Sequence, residues 1–384
     1  MDHSATTPVD PEVLDEMMPY FKEKYGNPSS IYSLGQTSRL AVEKAREQVA
    51  GLINASPKEI VFTSGGTEAD NQALITYMQV NRNRGNHLIT SSIEHHAILH
   101  TCEYLKKQGF EITVLPVNNY GLVEPGDLEK AMKPNTILVS IMHANNEVGT
   151  IQPVKELAEI AHRGGAAFHS DAVQALGKIP VDVKELGIDL LSGSSHKLYG
   201  PKGIGFLFIK KGIKISNLLH GGGQERKQRA GTENVPGIVG LGKATELAAL
   251  HLAERAQKLN RLGNRLIEGI LHTIPHSVLT GHPQNRIPGS VSFCFKFVEG
   301  ESILLMLDGS GIMASSGSAC TSGSLDPSHV LLALGLPYEI AHGSLRLTMG
   351  KDNTDEDVDY VLEVLPPIIA NLRRMSPLYS EDGC

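Results

Sequence analysis

The sequence predicts an α/β protein: a large domain on a mostly parallel sheet, then a smaller α+β domain. Three patterns carry that reading. Short apolar runs of strand length alternate with helical stretches as far as Ile209. A long stretch rich in Ala and Leu and free of proline, Gly237 to Leu271, then reads as one connecting helix. Beyond it the pattern changes to alternating strands and a closing amphipathic helix. Strands alternating with helices indicate a parallel sheet covered on both faces.

In chain order, helical periodicity first appears at Pro11–Lys24 and at Thr37–Ile53. In the second, Leu40, Ala41, Ala45, Val49 and Leu52 are expected on one face. Strand-length runs follow at Ile60–Thr63, His87–Thr90, Ile112–Leu115, Ile137–Met142 and Ala166–Phe168, each expected to be separated from the next by a helical stretch. Ile188–Leu191 and Ile204–Ile209 flank a hydroxyl-rich turn and a Gly/Pro turn. After the long helix, Ser290–Phe297 and Ser344–Thr348 alternate like strands. The closing helix carries Val358, Val361, Leu365, Ile368 and Leu372, with a kink expected at Pro366-Pro367. The expected division is residues 11–250 for the large domain, and 1–10 with 251–384 for the small one.

Composition narrows the function. The 384 residues are 41% hydrophobic and 20% charged, enough for a large core. A net charge of -7 argues against nucleic acid as the main partner. No apolar run approaches the ~18 residues of a membrane span, so no membrane partner is expected. Met1-Asp2-His3-Ser4 lacks a basic, then apolar, export signal, which with reduced thiols points to the cytoplasm. The four cysteines, Cys102, Cys294, Cys320 and Cys384, are scattered without metal-binding spacing.

Chemistry gathers at four places. At Phe62-Thr-Ser-Gly-Gly-Thr-Glu68 a strand empties into a glycine turn and a helix start, a geometry that binds anions but also occurs without ligands. Phe168-His-Ser-Asp-Ala-Val-Gln174 sets Asp171 just past a strand, where it could hold a pyridinium nitrogen protonated or cap a helix. In Ser92-Ile-Glu-His-His-Ala97, His96 and His100 fall four apart; a metal pair, a ring-stacking histidine and a surface cluster all remain open. Leu191-Ser-Gly-Ser-Ser-His-Lys197 ends on a lysine among small donors, which suits a Schiff-base lysine or an exposed turn lysine. Gly237-Ile-Val-Gly-Leu-Gly-Lys-Ala244 nearly matches a P-loop but lacks Ser/Thr after the lysine and a preceding strand.

Together the pieces are far more specific. The order Gly-Gly-Thr turn, histidine, Asn145-Asn146-Glu147, Asp171 with Gln174, then Ser194-Ser-His-Lys197 resembles the pyridoxal-phosphate enzymes of fold type I. Within them the chain is similar to the cysteine desulfurases of the NifS/IscS type, which belong to the class-V aminotransferase-like group. The likeness runs from Ala5-Thr-Thr-Pro-Val-Asp10 and Gly26-Asn-Pro-Ser-Ser30, through Arg229-Ala-Gly-Thr-Glu-Asn234, to Ser315-Ser-Gly-Ser-Ala-Cys-Thr-Ser322 and Leu345-Arg-Leu-Thr348.

The resemblance implies roles. Lys197 would bind pyridoxal 5'-phosphate as a Schiff base and shuttle the Cα proton. Asp171 would pair with the ring nitrogen, Gln174 would hydrogen-bond the phenolic oxygen, and His95 rather than His96 would stack on the ring. Gly66, Thr67, Ser194 and His196 would hold the phosphate, joined by Thr232 of a partner subunit in a homodimer. Asn146 and Arg346 would position L-cysteine, Arg346 through its carboxylate. Cys320, in a Ser/Gly-rich segment, would take the sulfur as a persulfide and pass it to an acceptor such as an iron–sulfur scaffold protein, leaving alanine. A selenocysteine lyase or an aminotransferase on the same fold, or a non-catalytic scaffold, are the alternatives. Lys202, in the Gly/Pro turn, falls out as a rival to Lys197. Two departures stand out: Tyr32 replaces a histidine usual after Gly-Asn-Pro-Ser-Ser, and a short strand usual ahead of Asp2 is missing. Cys384 is expected to be incidental.

Overall fold

The computed structural model describes residues 1–317, 326–377 and 379; Cys320 and Cys384 lie outside the described residues. The large sheet has seven strands: β1 Ile60–Thr63, β2 His87–Ser91, β3 Glu111–Leu115, β4 Thr136–Ser140, β5 Ala167–Asp171, β6 Leu190–Ser194 and β7 Gly205–Ile209. Their order across the sheet is β1-β7-β6-β5-β4-β2-β3. β3, β2, β4, β5 and β6 pair in parallel, and β7 runs antiparallel to both neighbours, β6 and β1.

Alternate side chains of the inner strands enter opposite cores, which is why these strands are buried along their whole length rather than at every second residue. Val139, Leu191, Phe206 and Phe208 face one core, with Val42 and Val49 of the helix Ser33–Leu52. Leu138, Leu190 and Leu207 face the other, with Ile98 and Leu105 of the helix His96–Lys107. β3, at the sheet edge, keeps exposed and half-buried positions instead.

A third core surrounds a three-stranded antiparallel sheet of β8 Ser277–Leu279, β9 Ser290–Phe295 and β10 Ser344–Thr348, in the order β10-β9-β8. The helix Val235–Thr273 bridges the first core and the third. Ile238, Leu241 and Ala244 pack in the first, and Leu262, Leu266 and Ile270 in the third. Its 39 residues span about 58 Å at 1.5 Å per residue.

Turns rather than an α-helix join β5 to β6, and their apolar residues Ala172, Ala175 and Leu176 fill the first core. Several expectations need correcting. Leu40 is 73% exposed. It lies about 140° round the helix from Ala45, five residues on, so the two cannot share a face. The Pro11–Lys24 helix divides into Pro11–Met17 and Pro19–Lys22, with Pro19 opening the second piece. The closing helix Asp355–Met375 is one span with Pro366 and Pro367 in its interior, as expected for its position in the sequence. β8 escaped detection because three half-buried residues carry no periodicity. At the N-terminal edge Asp2 forms a single parallel bridge to Thr348, and His3 N–H donates to the Thr348 carbonyl at 3.1 Å.

Candidate active site

The carboxyl ends of β1, β2, β4, β5 and β6 all open on one side of the sheet, where an α/β sheet presents its crevice. The residues that follow these strands line a cleft of about 360 Å³, within the usual range for a small-molecule site. Ten of the twelve residues singled out in the sequence line it: Gly66, Thr67, His95, Asn146, Asp171, Gln174, Ser194, His196, Lys197 and Arg346. Arg346 comes from the small sheet, on β10, so the cleft lies where the two sheets meet.

Lys197 ends a short 3-10 turn directly after β6. Its Nζ donates to the backbone carbonyls of Ser4 and Ala5 at 2.5 and 2.6 Å, so an N-terminal segment holds the amine over the cleft. Asp171, the last residue of β5, is 6% exposed and accepts from Val173 N–H at 2.9 Å. Burial pushes its carboxyl up, and the Val173 N–H and the Lys197 charge oppose that push. Asp70, fully enclosed beside it, is raised well above the usual carboxylate range by burial and by the Asp171 charge. With Asp70 protonated, the charge of the pair rests on Asp171, which out of water calls for a cationic or N–H-bearing partner in the cleft.

The opposite end suits an anion. The helix opening at Gly66 continues as Gly66–Asn71, a π turn Gln72–Thr76 and Tyr77–Val80, and its first-turn N–H groups have no partner within the helix. Glu68 there would repel an anion, but it accepts from Ser64 N–H at 2.8 Å and pairs with Arg229 at 2.9 Å. A Cβ on Gly66 would meet Val173 Cγ2 at 2.7 Å, so only glycine leaves this wall open. His196 Nδ1 lies 3.1 Å from Thr6 Oγ1, and burial with the nearby Lys197 and Lys202 charges pushes it down to about 4. It is therefore neutral at pH 7 and able to offer one N–H. Lys202 is exposed and lines an adjoining hollow with Thr6, Ser64 and Thr67 rather than the cleft itself.

His95 caps the helix His96–Lys107 through Nδ1, which accepts from Ala97 N–H at 3.2 Å. Burial and the charges of His96 and Lys197 lower it, so it too is neutral. His96 does not line the cleft; its ring lies 4.9 Å from His100 and 4.8 Å from His329. Among the described residues no His/Cys/Asp/Glu group has metal-holding geometry. Asn145 and Asn146 divide their work. Asn145 is buried and accepts from the N–H groups of Glu147 and Val148, whereas Asn146 faces the cleft.

Thr232 is exposed in the segment before the long helix and does not line the cleft. Several lining groups went unnoticed in the sequence. Asp70 had a signal, since it stands one helical turn from Thr67. Val173 and Ser315 sit beside named residues. The Ser4 and Ala5 carbonyls had none, because backbone acceptors leave no trace in residue type.

The residues fit pyridoxal phosphate: a lysine amine, a buried carboxylate, a glycine-walled anion turn and a neutral histidine line one cleft. Fold and cleft together define a pyridoxal-phosphate enzyme of fold type I.

The class-V aminotransferase profile matches residues 1–361. The chain is 59% identical to the cysteine desulfurase IscS of Methanosarcina thermophila over 98% of its own length and 93% of that protein. It is 56% identical to a Clostridium botulinum cysteine desulfurase IscS over 99% of its length and 96% of that protein. A solved NifS-like protein superposes with a TM-score of 0.91 at 42% identity, covering 97% of this chain and 99% of that one. The chain belongs to the class-V aminotransferase family, and within it to the cysteine desulfurases of the NifS/IscS type.

Proposed function

We propose that the chain removes sulfur from L-cysteine to leave L-alanine, carrying the sulfur as a persulfide on Cys320. The observation that carries this reading is the convergence of lysine, buried carboxylate, anion turn and arginine in one cleft. Pyridoxal phosphate, when bound, supplies an electron sink for charge developing at the substrate Cα. Lys197 anchors the cofactor and then moves the Cα proton, held over the cleft by the Ser4 and Ala5 carbonyls. Asp171 would hold the ring nitrogen protonated, Gln174 would serve the phenolic oxygen, and neutral His95 would stack on the ring. Gly66, Thr67, Ser194 and His196 would hold the phosphate, and Asn146 and Arg346 would receive the substrate, Arg346 taking its carboxylate.

The Cys320 thiolate attacks the substrate sulfur, so an S–S bond forms as the C–S bond breaks. The electron pair stays with the carbon skeleton, which is protonated and leaves as alanine. Burial pushes the Cys102 and Cys294 thiols up to about 12, which makes both poor nucleophiles at pH 7. The persulfide then passes to an acceptor protein for iron–sulfur assembly or thiolation.

The active form is a homodimer in which Thr232 joins the partner's phosphate site. Met18, Phe21, Tyr25, Ile31 and Tyr32 are large, exposed and close in sequence, an apolar surface of the kind a second subunit covers. The large domain comprises 11–250 and the small one 1–10 with 251–384, since the helix Val235–Thr273 changes cores near its middle. No helix among the described residues is long and apolar enough to cross a membrane, and a cytoplasmic site suits the reduced thiols.

Supplying L-cysteine and following alanine and sulfide in wild type and Cys320→Ala tests the reading. Wild type releases both; sulfide release by Cys320→Ala at the wild-type rate would exclude the persulfide. A yellow chromophore persisting in Lys197→Ala would exclude the anchoring lysine.

A further inference from the structure

Arg346 is held from two sides before any substrate arrives. Its Nη1 donates to the Asn146 carbonyl at 3.0 Å, and its Nη2 donates to Asp2 Oδ1 at 2.9 Å. The other Asp2 oxygen accepts from Ser315 Oγ at 2.8 Å. Ser315 in turn pairs with Arg346 through the backbone, donating to its carbonyl and accepting from its N–H. Asp2 is itself fixed by its bridge to Thr348, two residues along β10 from Arg346.

The donor count gives this arrangement meaning. A guanidinium has five N–H groups, two on each terminal nitrogen. Asp2 takes one from Nη2 and the Asn146 carbonyl takes one from Nη1. One hydrogen is left on each terminal nitrogen, the pair that a carboxylate needs for a two-point contact. A hold at Nη1 alone would let the plane swing about that contact; the Asp2 contact at Nη2 sets it. The Arg346 side chain is 6% exposed and that of Asp2 22%, so the pair is partly screened from water and stronger than a surface ion pair.

We propose that Asp2 is a positioning residue for substrate recognition, orienting the Arg346 guanidinium so that it meets the amino-acid carboxylate with both terminal nitrogens. This rests on the reading of Arg346 as the carboxylate site. Asp2 itself does not line the cleft. Its effect falls on binding of any amino acid carrying the α-carboxylate, and not on the sulfur step.

The test uses the cofactor-loaded enzyme. Asp2→Asn keeps the size and one acceptor but removes the charge and the acceptor for Ser315. KM for L-cysteine and the dissociation constant of L-alanine, read from the cofactor's absorbance, both rise about tenfold, while kcat stays within about twofold. Asp2→Glu, which restores the charge, recovers a large part of both losses. Arg346→Lys is the parallel arm, and raises both constants at least as far. If Asp2→Asn leaves both constants near wild type while Arg346→Lys raises them, Asp2 has no positioning role and Arg346 keeps its assignment. If Arg346→Lys leaves them unchanged, the carboxylate site itself is misassigned. A fall in kcat for Asp2→Asn with KM unchanged would also overturn the proposal, since that pattern belongs to the chemical step.

Discussion

Arg46 and Glu225, 179 positions apart, form a two-point ion pair with side chains 2% and 3% exposed. Arg46 Nη1 also donates to the Ile60 carbonyl, its guanidinium lies 4.6 Å from the Phe62 ring centre, and Glu225 accepts from Phe62 N–H. The pair ties β1 to the segment that carries Arg229 and Thr232. It also holds three successive non-glycine residues, Glu225, Arg226 and Lys227, at positive φ of 43°, 55° and 69°. Such a turn is unfavourable without outside support.

Glu225→Gln should therefore destabilise the protein by about 3–5 kcal/mol, the usual cost of leaving one buried charge unpaired. The expected readout is a clear fall in the thermal midpoint. Replacing both partners, Arg46→Met with Glu225→Leu, should recover only part of it, because the Ile60 carbonyl and the Phe62 N–H then lose their partners. An unchanged midpoint in Glu225→Gln would mean that the turn is held by something else.

The wall at Gly66 gives a prediction in two parts. A methyl there overlaps Val173 Cγ2 at 2.7 Å, and overpacking of this kind costs about 1–3 kcal/mol. Gly66→Ala should weaken pyridoxal-phosphate binding by roughly 5- to 150-fold, that energy expressed as affinity. Gly66→Ala with Val173→Ala should recover most of the affinity, because Ser194 Cβ, the next atom, is 3.6 Å away. A double variant as weak as the single one would place the fault in the backbone instead.

How much was legible follows from what each feature needs from sequence. The inner strands were readable because both faces are buried, which demands continuous apolar runs such as Ile204–Ile209. The cleft was readable where chemistry selects a residue type, as at Lys197 and Asp171. What escaped depends on contact across distance. Leu40 is apolar yet exposed, and β8 has three residues. The carbonyls of Ser4 and Ala5 hold Lys197 from 193 and 192 positions away, with no demand on their side chains.

Lys178 Nζ donates to Gln174 Oε1 at 2.7 Å, and Gln174 Nε2 donates to the Ser4 carbonyl at 3.0 Å. Burial, with the Lys197 and Arg346 charges, pushes the Lys178 amine down to about 7; in its protonated form it can only donate, so below that pH it fixes which end of the amide is the acceptor and leaves Nε2 as the donor. Lys178→Met removes that constraint. Cofactor affinity should fall about fivefold, matching one net hydrogen bond near 1 kcal/mol, and the absorbance of the bound cofactor should shift. Unaltered affinity and spectrum would show that the amide is oriented without Lys178.

Glu94 supplies the pH dependence. It is fully buried between β2 and the Met142 backbone, accepting from Ser91 Oγ at 2.5 Å and from Met142 N–H at 3.0 and 3.1 Å. Burial pushes it up to about 8 from 4.5; those donors oppose the push, and the Asp171 charge adds to it. Because the folded value lies above the unfolded one, its contribution to stability is fully present below about 4.5 and is lost as pH rises through about 8. Across that window the unfolded chain has released the proton and the folded chain still keeps it. In Glu94→Gln no proton is released, so this loss disappears. The cofactor-free wild type should therefore lose stability relative to Glu94→Gln between pH 5 and pH 8, with the difference levelling off above the folded value. Thermal midpoints of the two proteins across that range measure it. Parallel curves would mean that Glu94 ionises in the folded chain as readily as in the unfolded one.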